Sequence, residues 1–169
     1  MKTLAELNAL PVDTFTDYCA AVYEHSPWIP RQAAALRPFA NAKALLAALS
    51  QVLAQAEREQ QLALIRAHPD LAGRAALRGE LTAASTSEQA GAGLDQCSAE
   101  ELARFTTLND TYKARFGFPF IMAVKGATKD DILAAFERRI GHAPDEEFNE
   151  ALTQIEKIAL LRLRDRLPA

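Results

Sequence analysis

Ser98-Ala99-Glu100-Glu101-Leu102-Ala103-Arg104-Phe105-Thr106-Thr107-Leu108-Asn109-Asp110-Thr111-Tyr112-Lys113-Ala114-Arg115-Phe116-Gly117 is the stretch whose period decides the fold class. Leu102, Phe105, Asn109, Tyr112 and Phe116 recur at steps of three and four, the spacing of one helix face. Ser98 with Glu101 has the offset of an N-terminal capping box, and Gly117 stands where a left-handed residue ends a helix. Working outward, the same spacing predicts helices over 3–9, 13–23, 30–36, 41–57, 59–67, 87–92, 98–116, 129–140 and 145–166. Thr128 with Asp131 reads as a second capping box, and Gly141 as a second left-handed end. No alternating strand pattern with an Asn-Gly or Asp-Gly turn interrupts these segments. The expectation is an all-α chain, a single-domain helical bundle over 1–169 with about eight or nine helices and an extended apolar segment near 117–124.

The totals fit that expectation. At 169 residues and 49% hydrophobic content the chain can bury one good core. A formal net charge of −3 offers no basic field for phosphate backbones, so nucleic acid is not an expected partner. Cys19 and Cys97 form neither a CxxC pair nor a disulfide framework, which points to a reducing compartment. Glu6, Pro11 and Asp13 break any signal-like apolar run, and no stretch is apolar for long enough to span a bilayer. A soluble cytoplasmic protein without a membrane partner is expected.

Several residues do not fit a purely structural pattern. In His68-Pro69-Asp70-Leu71-Ala72-Gly73, Pro69 must stop the helical run before it and fix an imidazole at its end. His68 is then either a cap for the last carbonyls or an acid–base group suited to neutral pH. Asn109 shares the apolar face of its helix, and bracing a neighbouring loop is its simplest role. Arg162 lies four residues after Ile158 and seven after Ile155, on a face with Ala151 and Ala159. It reads as a structural ion pair or as a fork of donors for a carboxylate or carbonyl ligand. Gly117 and Pro119 force Phe118-Pro119-Phe120-Ile121-Met122-Ala123-Val124 out of the helix, leaving buried backbone groups that need partners, from the protein or from a ligand. The stretch 71–96 reads as a long surface connection, and within it Ser85 with Glu88 has capping-box spacing while a helix beginning there also offers N–H donors to an anion. HExxH, GxSxG, Walker and EF-hand patterns are absent, so nothing in the sequence requires a metal or an organic cofactor.

The ordered set His68-Pro69-Asp70-Leu71-Ala72-Gly73, Leu81-Thr82-Ala83, Ser85 to Gln89 with Gly91-Ala92-Gly93-Leu94, Leu108-Asn109 with Tyr112, Arg115-Phe116-Gly117-Phe118-Pro119-Phe120, and Leu161-Arg162-Leu163 closely resembles the OHCU decarboxylase family. These are the 2-oxo-4-hydroxy-4-carboxy-5-ureidoimidazoline decarboxylases of urate breakdown, and the resemblance runs from Phe15 and Arg37-Pro38-Phe39 through Arg162. It implies an all-helical fold, commonly a homodimer, that releases CO₂ and forms (S)-allantoin without a cofactor or metal. It further implies that His68 is the catalytic acid and that Glu88 assists it. The ureidoimidazoline substrate would be contacted by Pro69, Ser85, Thr86, Ser87, Glu88, Gln89, Phe120, Ile121, Met122, Ala123, Val124 and Arg162. Ala84-Ser85-Thr86-Ser87 departs from the bulkier or charged residues frequent in the family there.

The implied chemistry suits these side chains. Loss of CO₂ leaves electron density to be spread into the ring, and donors aimed at it, among them Arg162 and backbone N–H groups of Phe120 to Val124, would stabilise it while Phe118 walls the site. Two other readings compete: a non-catalytic helical module that binds a ureide or a partner, and a metal-dependent amidohydrolase with His68, Asp70 and Glu88 as ligands.

Overall fold

Short polar side chains, Thr3, Asn41, Thr82, Ser98 and Thr128, cap the starts of five of the helices. A computed structural model describes residues 1–168. In chain order these form α1 (Leu4–Ala9), α2 (Val12–Cys19), α3 (Trp28–Ala33) continued by one 3₁₀ turn (Ala34–Leu36), α4 (Ala42–Gln55), α5 (Arg58–Ala67), α6 (Arg74–Leu77), α7 (Ala83–Gly91), α8 (Ala99–Phe116), α9 (Lys129–Ile140) and α10 (Pro144–Arg164). No strand occurs among the described residues, and no helix is long and apolar enough to cross a membrane. Complete capping boxes open α8 (Ser98, Glu101) and α9 (Thr128, Asp131), and Gly117 closes α8 at φ 77°.

The differences from the expected boundaries have local causes. Helix α2 stops at Cys19 rather than near residue 23; Arg166 Nη1 donates to Tyr18 O in its last turn and Arg162 Nη1 to Ala21 O in the turn that follows. Helix α3 begins two residues before Pro30, since the first turn needs no intrahelical N–H and tolerates proline. Helix α6 is a single turn, too short to show a period, so the 71–96 connection is more ordered than its composition suggests. Gly141 has right-handed dihedrals (φ −80°, ψ −7°), and a Cβ there would meet nothing closer than Arg138 O at 3.6 Å, so the position does not demand glycine.

Within this all-α fold the contacts group into two compact units, one holding residues 1–67 and 156–168, the other His68–Ile155. In the first, α2 packs on α3 and α3 on α4 over Leu7, Phe15, Ile29, Leu45, Leu49, Leu64 and Ile65, all fully buried. Arg37 ties its N-terminal part together, donating to Leu7 O and Leu10 O while stacking 5.0 Å from the Phe15 ring. The same unit half-buries a carboxyl, Glu156, which accepts from Ser50 Oγ at 2.6 Å and from Tyr23 Oη at 3.2 Å.

Burial holds the Glu156 carboxyl above its ordinary value of 4.5, with the Ser50 and Tyr23 hydroxyls opposing the shift. A carboxyl raised by folding binds its proton more tightly in the folded chain. Its contribution to stability is therefore complete below the unfolded pKa and is lost as pH rises through the folded one. Measured against Glu156→Gln, which cannot ionise, the wild-type urea midpoint is expected to fall as pH rises from acid toward neutrality. A difference between the two proteins that ignores pH would refute the assignment.

In the second unit α8 packs on α9 around an aromatic cluster. Phe120 stacks on Phe136 at 3.8 Å, and Tyr112 meets Phe120 edge-on at 5.4 Å.

Candidate active site

Helix α5 ends at Ala67, where Pro69 requires it to, and His68 follows with only 8% of its surface exposed. The turn after it is held by three side chains from two helices of its own unit. Gln89 of α7 spans it with both ends of its amide, Nε2 donating to Asp70 O (3.2 Å) and Oε1 accepting from Ala72 N (3.0 Å). Asn109 of α8 donates to Leu71 O at 2.9 Å, the loop-bracing role its position suggested. Lys113, one helical turn further on, pairs with the Asp70 carboxylate at 2.6 Å.

This clamping permits an unfavourable backbone. Ala72 lies at φ 51°, a region that costs a residue with a Cβ about 1–2 kcal/mol. Gly73 comes next because nothing larger fits: a Cβ there would stand 2.5 Å from Asp70 Cβ, which is tied to the turn and cannot swing away. Gly73→Ala is expected to cost about 1–3 kcal/mol, as over-packing does, read as a lower denaturant midpoint. An unchanged midpoint would mean that the turn relaxes freely.

Helix α7 begins at Ala83 with Thr82 as its N-cap, accepting from Ser85 N, so the expected Ser85–Glu88 capping box does not form. Glu88 thus sits in the body of the helix. Ser85 and Gln89 are buried and Glu88 is half-buried, three residues on one face at offsets of three and four. Thr86 and Ser87 lie on the exposed side, and the Thr86 hydroxyl bonds back to Thr82 O.

After Gly117 the chain runs without regular structure through residues 118–124, as expected. Phe118, Pro119, Phe120, Ile121 and Val124 are buried, and Met122 and Ala123 half-buried. The protein satisfies part of its backbone: Arg139 Nη1 donates to Ile121 O at 2.6 Å, and Gln154 Oε1 accepts from Ala123 N at 3.0 Å. That removes the Ala123 N–H from the donors expected to face a ligand. The N–H groups of Ile121, Met122 and Val124 make no hydrogen bond to protein among the described residues.

Arg162 belongs to the other unit. Its Nη2 donates to Glu24 Oε1 and its Nη1 to Ala21 O, each at 3.0 Å, with both side chains buried. The structural ion pair foreseen as one of its two readings is therefore present. The sequence reading missed Glu24, Arg139, Glu147 and Gln154. Helical counting finds two of them: Glu147 lies four residues before Ala151 on the buried stripe of α10, and Arg139 three after Phe136 on that of α9.

The model of the OHCU decarboxylase family matches residues 8–164. The chain belongs to the OHCU decarboxylase family. That match includes His68, the α7 face, the 118–124 segment and Arg162. Among OHCU decarboxylases, the chain is 46% identical over 164 residues to the 2-oxo-4-hydroxy-4-carboxy-5-ureidoimidazoline decarboxylase of Haloferax volcanii, covering 97% of this chain and 95% of that one. The protein of the same name from Halalkalicoccus jeotgali is 42% identical over 163 residues, 96% and 90% of the two chains. A crystal structure of (S)-allantoin synthase superposes with a TM-score of 0.76 at 31% identity. It matches 98% of this chain, which spans only 54% of that longer one.

Proposed function

We propose that this chain decarboxylates 2-oxo-4-hydroxy-4-carboxy-5-ureidoimidazoline to (S)-allantoin, acting over 1–169 as one catalytic domain. The observation that carries the reading is His68, a buried imidazole at a helix end, on a turn fastened by Gln89 to the helix that bears Glu88. In this scheme the bond to the carboxylate carbon breaks and CO₂ leaves. The electron pair spreads into the adjacent carbonyl or imine of the ring, and His68, as the acid, delivers a proton to one face of the resulting carbanion. Delivery to one face yields a single enantiomer. Glu88 assists by keeping the imidazole oriented and protonated.

The substrate's own ring takes up the electron pair, so the reaction needs no cofactor as electron sink. The competing zinc site would require His68, Asp70 and Glu88 together. Lys113 already pairs with Asp70, and no three His, Cys, Asp or Glu side chains gather as a metal set among the described residues.

On α7 the proposed contacts are Ser85, Thr86, Ser87, Glu88 and Gln89, with Pro69 beside His68; Ser85 and Gln89 are buried, Glu88 half-buried, and Thr86 and Ser87 exposed. Phe118 and Phe120 wall the substrate, the N–H groups of Ile121, Met122 and Val124 supply donors to it, and Ala123 contributes its side chain. Arg162, in the other unit, pairs with Glu24, and its contact with substrate rests on the family resemblance alone. The protein works as a cytoplasmic homodimer.

The test generates the intermediate in place from urate with urate oxidase and the following hydrolase, then records the circular dichroism of allantoin with and without this protein, in the presence and absence of chelator. Rapid (S)-allantoin in both solutions supports the reading. Slow racemic product at the spontaneous rate would leave a module that binds a ureide or a partner.

A further inference from the structure

Unit His68–Ile155 buries a polar cluster for which the reaction scheme above has no use. Glu147 of α10 is fully buried and accepts from Arg139 Nε at 2.9 Å and from Tyr112 Oη at 2.5 Å, while His142 Nδ1 lies 3.0 Å from its other oxygen. Burial and the Glu147 carboxylate hold the Tyr112 phenol well above its ordinary pKa, so it remains a proton donor. A buried ion pair is weak as a stabiliser, because desolvation offsets much of the attraction and apolar residues of similar volume often serve as well. What such a pair can supply is a fixed direction.

The direction here is specific. The Arg139 guanidinium makes three contacts: the Glu147 carboxylate, the carbonyl of Ile121 at 2.6 Å, and the face of the Phe120 ring, 4.3 Å from its centroid. Two of the three fall on consecutive residues of the irregular segment proposed to meet the substrate. Arg139 Nη2 is buried and finds no acceptor among the described residues. Native proteins keep few such donors, so the guanidinium is oriented by the segment rather than by its own full satisfaction. Gln154 holds the same segment at Ala123 N, two residues further on.

We propose that Arg139, held by Glu147, is a positioning residue of the decarboxylase: through Ile121 O and the Phe120 ring it sets the segment Phe120 to Val124 against the substrate. This rests on the function proposed above. Lysine keeps the charge at 139 but has no planar fork to bridge Glu147 and Ile121 O together. Arg139→Lys is expected to lower kcat/KM about 10-fold to 100-fold, chiefly by raising KM, as misplaced contact groups do. Glu147→Gln, which keeps volume and loses charge, is expected to shift KM the same way by a smaller factor. In both variants the product remains optically pure (S)-allantoin, because the proton donor is untouched.

Wild-type protein that forms no (S)-allantoin overturns both readings. An active wild type with unchanged KM in a folded Arg139→Lys overturns this one alone. If Arg139→Lys does not fold, Glu147→Gln decides, and loss of helical circular dichroism in both would make the cluster an element of stability and sink the positioning role.

Discussion

Replacing His68 with asparagine is expected to lower enantioselective turnover by about 10²-fold to 10⁴-fold, the range that a positioned acid or base supplies. The fold should survive. The turn around His68 is held by Gln89, Asn109 and Lys113 through Asp70, Leu71 and Ala72, none of which needs the imidazole. Asparagine retains a polar head on a side chain of lesser reach but cannot exchange a proton near neutrality. The assay must read optical activity rather than substrate loss, because the intermediate decays unaided and racemic allantoin accumulates with time. A variant that forms (S)-allantoin at close to the wild-type rate would remove His68 from the mechanism. One that forms racemic product slowly, with an unaltered far-ultraviolet spectrum and melting curve, would fix it as the acid.

Glu88→Gln is expected to reduce the rate by about 10²-fold, with little change in melting temperature. The sequence admitted a purely structural role, since Ser85 and Glu88 have capping-box spacing. The structure gives the cap to Thr82, three residues earlier, so losing the charge of Glu88 exposes no helix-end N–H. In the scheme proposed above, that charge orients the imidazole and favours its protonated form, as a carboxylate does in other imidazole-based sites. Glutamine preserves shape, so a fall in rate without a fall in stability isolates the charge. A change confined to the melting curve would return Glu88 to a structural role.

The fold was legible wherever periodicity and punctuation coincide. Helix α8 carried a stripe, a box and a terminal glycine, and its ends fell where those signals put them. The start of α7 was less legible because Thr82, Ser85, Thr86 and Ser87 can all cap. The structure chose the one that keeps Ala83 and Ala84, the best helix formers available, inside the helix. Helix α6 has four residues and leaves no periodic trace.

At the site, the turn after His68 could be read from Pro69, and Asn109 from its place on an apolar face. The partners of the buried charges could not be read. Glu24 and Glu147 are each more than a hundred or thirty residues from one of the groups they meet, Arg162 and Tyr112. Local spacing says nothing about such pairs, although a charge on a buried stripe shows that a partner must exist.

The amide of Gln89 has a consequence for how the protein can change. Because it joins Asp70 and Ala72 directly to α7, the intervening residues from Gly73 to Glu88 form an excursion that this tie closes. Leu77 there is 68% exposed, and at Gly79 an added Cβ would meet nothing within 4 Å. Length added or removed around Gly79 would change the outline of the excursion and leave His68 at its root where it is. The chain thus has a stretch of spare rope beside its most exacting turn, where variation among descendants can accumulate without retuning the reaction.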